Sequence, residues 1–229
     1  MLVTFVIAVL VLLMIPARSR NRNGGQQINC VNNLKQVGLS FRLWGGDNGE
    51  KYPILATFTN ETSLRQTALR DGTGAAYMYQ VFQVMSNELG TPKIILCPSD
   101  NRTMATNFER DIEALGNTAI SYFVGKDADE TKPQQFLAGD RNIGVMSDGS
   151  WSGNDPDGGA TGFSPNTGKA GSYRSLARYT NSAALAWTDK LHKMKGNVVL
   201  SDGSVQQMSS SAMKKAAVST GDETALYFP

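Results

Sequence analysis

The residues best equipped for chemistry are few. The chain has one histidine, His192, and two cysteines, Cys30 and Cys97. His192 is followed, after nine residues, by Asp202-Gly203. A strand-like run lies between them, so the two are expected at its opposite ends. Asp202 is then best used to fix its own turn through side-chain to backbone bonds, and a ligand or proton-transfer role for His192 is the alternative. The cysteines stand 67 positions apart, which excludes a CxxC redox or zinc pattern. With a single histidine no protein-only zinc cage of familiar spacing is present either. A disulfide between Cys30 and Cys97 and a pair of buried thiols are both open readings.

Oxygen-rich clusters are the other candidates. Asp148, Asn154, Asp155 and Asp157 crowd a glycine-, serine- and proline-rich stretch from Asp148 to Gly171, and Asp127, Asp129 and Glu130 form a second group. Hard cations take oxygen ligands from such loops, so calcium is the one cofactor to weigh. The spacing matches no EF-hand, because Asp155-Pro156-Asp157 lacks the third acid and the closing glutamate, and a solvated surface loop is favoured. No other cofactor is expected.

Catalytic patterns are weaker still. Ser211-Ala212-Met213-Lys214 matches S-x-x-K and Ser99-Asp100-Asn101 matches S-D-N, but their order is reversed relative to the penicillin-recognising serine enzymes and no K-T-G occurs. No GxSxG, HExxH or P-loop is found. A Ser-His-Asp triad would have to use His192, and nothing nominates its nucleophile. The chain is read as non-catalytic.

The elements that would carry these residues begin with Leu2 to Ile15, an uncharged apolar run of 14 residues. As a helix it spans about 21 Å, against a bilayer core of about 30 Å. It is read as an anchor whose remaining length comes from the interface or from neighbouring subunits. Pro16 and a basic joint with Arg18, Arg20, Arg22, Gly24 and Gly25 follow. Then Cys30, Leu34, Val37, Phe41 and Trp44 recur at spacings of four and three, one face of an amphipathic helix. Thr73 to Leu89 and Asn107 to Leu115 are expected to be helical. Lys93 to Cys97, Ala119 to Val124, Gln134 to Ala138, Ile143 to Met146, Ala183 to Thr188, Asn197 to Leu200 and Val205 to Met208 are expected as strands. Asp202-Gly203 predicts a type I′ hairpin between the last two. A short helix from Ser211 to Val218 and a tail end the chain. The order implies an α+β fold with a long N-terminal helix, apolar anchor then amphipathic half, on an antiparallel sheet. The divisions are residues 1–27, anchor and joint, and residues 28–229, a globular head with the amphipathic helix at 28–46. With 22 basic and 20 acidic residues the net charge is +2, so no field points to nucleic acid.

The run from Cys30 to Leu39 (CVNNLKQVGL), leading to Trp44 and Asp47-Asn48-Gly49-Glu50-Lys51-Tyr52-Pro53, resembles the segment after the hydrophobic helix in the prepilin-type "H-X9-DG" proteins of Planctomycetes and Verrucomicrobia. His192 with Asp202-Gly203 is similar to the motif that names that family. Leu96 to Asp100, Ile120 to Asp129 and Gly139 to Asn142 extend the resemblance over nearly the whole chain. It implies a pilin-like fold and a membrane-anchored structural subunit of a type IV pilus or type II secretion-like assembly. Its partners would be other pilin-like subunits and the membrane through residues 2–15. Its place would be the inner membrane, with the head in the periplasm or at the cell surface. Members of that family usually carry a basic leader, a Gly-Phe junction and a glutamate at the fifth mature position. This chain has Phe5 and no acid before Asp47. The alternative is a membrane-tethered binding protein with a pilin-like head that does not polymerise.

Overall fold

The computed structural model describes residues 2–54, 78–147, 150–151, 172–175, 185–220 and 224–229. Its first element is α1, Leu2–Asp47, 46 residues long. The helix runs unbroken through Pro16, Gly24 and Gly25. A mid-helix proline costs about 3 kcal/mol and each glycine about 1 relative to alanine, and neither stops it, so the expected joint is itself helical.

Among the described residues no helix is long and apolar enough to cross a membrane. This corrects the expected fold class at its N-terminus, the pilin-like apolar anchor, and with it the membrane and transmembrane reading of residues 2–15 and the inner-membrane location. The physical reason is in the composition of α1. Its apolar run stops at Ile15, and Arg18, Arg20 and Arg22 enter the same helix within the next two turns.

The second part of α1 behaves as its periodicity requires. Cys30, Leu34, Val37 and Phe41 are fully buried and Trp44 nearly so, while Lys35, Gln36, Leu39 and Arg42 face out. Phe41 meets Tyr52 edge-on at 5.6 Å and Phe82 at 6.3 Å between ring centroids. Met78, Val81, Phe82, Met85 and Leu89 share this core. They sit on and around two short helices, α2 (Tyr79–Val84) and α3 (Ser86–Leu89), where a single longer helix was expected. The 3-10 turn Pro92–Ile95 replaces the expected strand at Lys93 to Cys97. Thr91 caps it by accepting from the Lys93 amide, and Pro92 at the first position presets the backbone. Helix α4 (Arg110–Leu115) and a 3-10 turn, Gly116–Ala119, lead into the sheet.

The strands are β1 (Tyr122–Gly125), β2 (Phe136–Asp140), β3 (Ile143–Ser147), β4 (Ser150–Trp151), β5 (Ser172–Ser175), β6 (Leu185–Trp187), β7 (Lys195–Leu200), β8 (Val205–Ser209) and β9 (Ala225–Phe228). Helix α5 (Ser210–Ser219) separates the last two. A six-stranded sheet has the order β5-β9-β1-β2-β7-β8, and a three-stranded one β4-β3-β6. Every recorded pairing is antiparallel. The chain's last residues, expected as a tail, are thus an inner strand, bonded to β1 on one side and β5 on the other.

α1 crosses the sheet over β7. A Cβ on Gly38 would lie 2.6 Å from the Val199 side chain, so a larger residue there would force Val199 or the helix to move. The β7–β8 hairpin forms as expected, with Val199 opposite Val205, but its turn is not type I′. Gly203 has φ of 84°, while Asp202 is not among the residues with positive φ. The Leu200 amide donates to the Ser204 carbonyl and the Gly203 amide to the Leu200 carbonyl, with Asp202 Oδ1 accepting from the Ser204 amide at 2.8 Å. The loop is therefore three residues long, Ser201 to Gly203, with the glycine alone left-handed, and the longer loop removes the need for a second such residue. Gly203→Ala is expected to lose about 1–2 kcal/mol in urea unfolding, the cost of a left-handed alanine, and an unchanged midpoint would show that the turn tolerates a side chain.

Candidate functional site

Four elements bring the two cysteines and the histidine to one point. Cys30 comes from the buried face of α1, Cys97 from the segment after the Pro92–Ile95 turn, Asp140 from the end of β2, and His192 from the loop between β6 and β7. Cys30 Sγ lies 3.3 Å from Asp140 Oδ1, Cys97 Sγ 3.4 Å from His192 Nε2, and His192 Nε2 3.4 Å from Asp140 Oδ2. One ligand atom from each residue lies within 4.8 Å of all the others, and all four residues are buried. Both cysteines are free thiols, side by side at the helix–sheet interface, so the pair considered for a disulfide is at least brought together.

The surroundings hold this arrangement firmly. Asp140 Oδ2 accepts from the Asn197 amide at 2.7 Å and from its Nδ2 at 2.8 Å. This follows from the β2–β7 register, in which Gly139 lies opposite Val198. The Tyr122 hydroxyl is 3.5 Å from Cys30 Sγ. Asn142 donates from Nδ2 to the carbonyls of Thr188 and Lys195, closing the loop that carries His192. Directly after the histidine, Lys193 and Met194 both have positive φ, 50° and 66°. Two successive left-handed non-glycine residues cost on the order of 1–3 kcal/mol each and persist only where the surroundings over-determine them.

Charge is shared unevenly among these groups. Burial pushes the Cys30 thiol up, and burial likewise raises the Asp140 carboxyl to about 7. The hydrogen bond from Cys30, reinforced by His192, draws Cys97 down to about 5. Burial by itself would lower His192, but its hydrogen bond to Cys97 and the charge of Asp140 outweigh that and raise it.

This is not the geometry of a cysteine–histidine–aspartate relay. Such a relay needs nucleophile and orienting acid on opposite ring nitrogens, and here both Cys97 and Asp140 face Nε2. What the geometry offers is convergence on one point, where a cation could be held.

The other sequence candidates do not join the site. Asp202 lies in the turn beyond the far end of β7, where it caps its own turn, and Gly203 beside it packs under Arg42. Asp129 accepts from the Thr131 amide and hydroxyl, while Asp127 pairs with Lys126 and Glu130 with Arg42. The calcium candidates Asp148, Asn154, Asp155 and Asp157 lie outside the described residues. Ser211 is exposed on α5, and Asp100 of the S-D-N match is held by Arg141. Asp140 was missed as a site residue. Its only sequence signal was the Gly139-Asp140-Arg141-Asn142 stretch, because aspartates are common and its partners are remote in the chain.

Fold and site together define an α+β protein in which one long helix is docked on an antiparallel sheet over a buried cluster of thiols, carboxylate and imidazole. No family model, no curated protein and no solved structure matches the chain.

Proposed function

We propose that the protein is a non-catalytic structural subunit of the pilin or pseudopilin kind, assembling with copies of itself or sister subunits through the first part of α1. One observation carries this reading. Leu2, Val3, Phe5 and Ile7 are exposed by 81, 70, 69 and 55%, on the same helix whose second part is buried in the head. Burying such side chains is worth about 1.5–3 kcal/mol each, and a neighbouring apolar helix is the surface that matches them without a polar partner. The resemblance to prepilin-type H-X9-DG proteins supports the same reading. A type IV pilus or type II secretion-like assembly is the setting it implies.

The full chain is expected to sediment as oligomers, and a chain lacking residues 2–23 as a monomer with an unchanged melting temperature. The double variant Phe5→Asp/Ile7→Asp is expected to match the truncation. A monomeric full chain, or a truncated chain that still assembles, would overturn the proposal.

A further inference from the structure

We propose that Cys30, Cys97, Asp140 and His192 are the four ligands of a closed, structural zinc site that fastens α1 to the sheet.

The distances carry the assignment. Zinc bonds of about 2.3 Å to sulfur and about 2.0–2.2 Å to nitrogen and oxygen, set tetrahedrally, separate neighbouring ligand atoms by about 3.3–3.8 Å. The separations between Cys30 and Asp140, Cys97 and His192, and His192 and Asp140 are 3.3, 3.4 and 3.4 Å. All four atoms fall within 4.8 Å of one another. Three separations thus already match tetrahedral spacing, through Asp140 Oδ1 to Cys30 and Oδ2 to His192, and the remaining ones are short enough for small side-chain shifts to close them around one ion.

Ligand chemistry selects the metal. Two sulfurs, an imidazole nitrogen and one carboxylate oxygen are a borderline-soft set of four, suited to zinc. Calcium and magnesium want six or more oxygens, so they are excluded here. The site is also closed, since Cys30, Cys97 and Asp140 are fully buried and His192 is 7% exposed. Four protein ligands complete a tetrahedral sphere and leave no coordination position for substrate, which makes the role structural.

Electrostatics gives the reason. In their ligating forms, two thiolates, a carboxylate and an imidazole, these groups place negative charge inside a buried interface, which is costly unless a cation sits among them. Metal ligands also need outer partners that orient them. Asn197 supplies two donors to Asp140, and the Tyr122 hydroxyl stands against Cys30. A cleft of about 280 Å³ between Gly24–Gln27 of α1, Pro98–Ser99 and Leu191–Lys193 reaches His192 and provides an entry path.

The test uses the full chain, purified under reducing conditions and stripped with chelator. Titration with Zn2+ is expected to load one ion per chain, raise the melting temperature and protect both thiols from alkylation. Co2+ is expected to give the intense visible bands and thiolate charge-transfer absorption of a tetrahedral site. Asn197→Ala, which keeps every ligand, is expected to weaken zinc binding by about 10–100-fold. The Cys30→Ser/Cys97→Ser variant is expected to lose the thiolate charge-transfer band. Retention of no zinc by the wild-type chain, octahedral cobalt spectra, or equal zinc loading of the cysteine-free variant would each overturn the proposal. Because the first two readouts need no variant, a substitution that fails to fold leaves the answer intact.

Discussion

Arg141→Met is expected to destabilise the protein by about 3–5 kcal/mol at neutral pH, the penalty for stranding a buried charge. Arg141 donates to Asp100 from both Nε and an η nitrogen at 2.8 Å, and only 5 and 1% of the two side chains is exposed. The Ser121 hydroxyl adds a third bond to Asp100 at 2.8 Å. Arg141 follows Asp140 directly, and its amide donates to the Ser121 carbonyl. The pair therefore braces the end of β2 against the segment that carries Cys97.

The pH dependence follows from Asp100. Burial would raise its carboxyl, but the bonds and charge of Arg141 and the Ser121 hydroxyl hold it below the usual carboxylate value of 3.8. A carboxyl depressed in the folded state contributes stability that is present above 3.8 and is lost as pH falls through the folded value. Without Arg141, burial is opposed only by the Ser121 hydroxyl and the charge of nearby Arg102, and the carboxyl takes up a proton at a higher pH than in the wild type. The stability gap between wild type and variant is then largest at neutral pH and narrows toward about pH 4. The double variant Arg141→Met/Asp100→Leu is expected to recover most of the loss, since removing both charges is far milder than removing one. Urea unfolding across this range decides the matter. A gap that stays constant with pH would show that Asp100 is not the stranded charge.

Phe41→Ala should cost a similar amount, about 3–5 kcal/mol, the usual range for emptying a large buried aromatic. Phe41 has no exposed surface and sits between the rings of Tyr52 and Phe82. It is also three turns beyond Cys30 on the same helix face, so it helps hold that thiol against Asp140. Phe41→Leu, which refills most of the space, is expected to cost less. Denaturant unfolding, with thiol alkylation of Cys30 as a second readout, measures both the loss and whether α1 lifts from the sheet. A change below about 1 kcal/mol for the alanine variant would mean that this aromatic contact does not hold the helix.

Much of the scaffold was legible because it is encoded locally. The spacing of Cys30, Leu34, Val37, Phe41 and Trp44 states a helical period, and those residues are the face that docks. Asp202-Gly203 marked the β7–β8 hairpin, although its loop is three residues long with Gly203 alone left-handed. Local pattern misled where capping overrode β-type composition, at the turn begun by Thr91 and Pro92. It misled again at the N-terminus, where an apolar run suggested a membrane span that the composition of α1 does not sustain.

Periodicities, the hairpin and the scarcity of reactive side chains could thus be read without the fold, because each is a property of neighbours along the chain. The pairing of Ala225–Phe228 between β1 and β5 and the meeting of Cys30, Cys97, Asp140 and His192 emerge solely from three-dimensional packing. Strand order and the convergence of four elements depend on long-range docking of α1 and the sheet. A spacing of 67 residues between two cysteines carries no local signal of that contact.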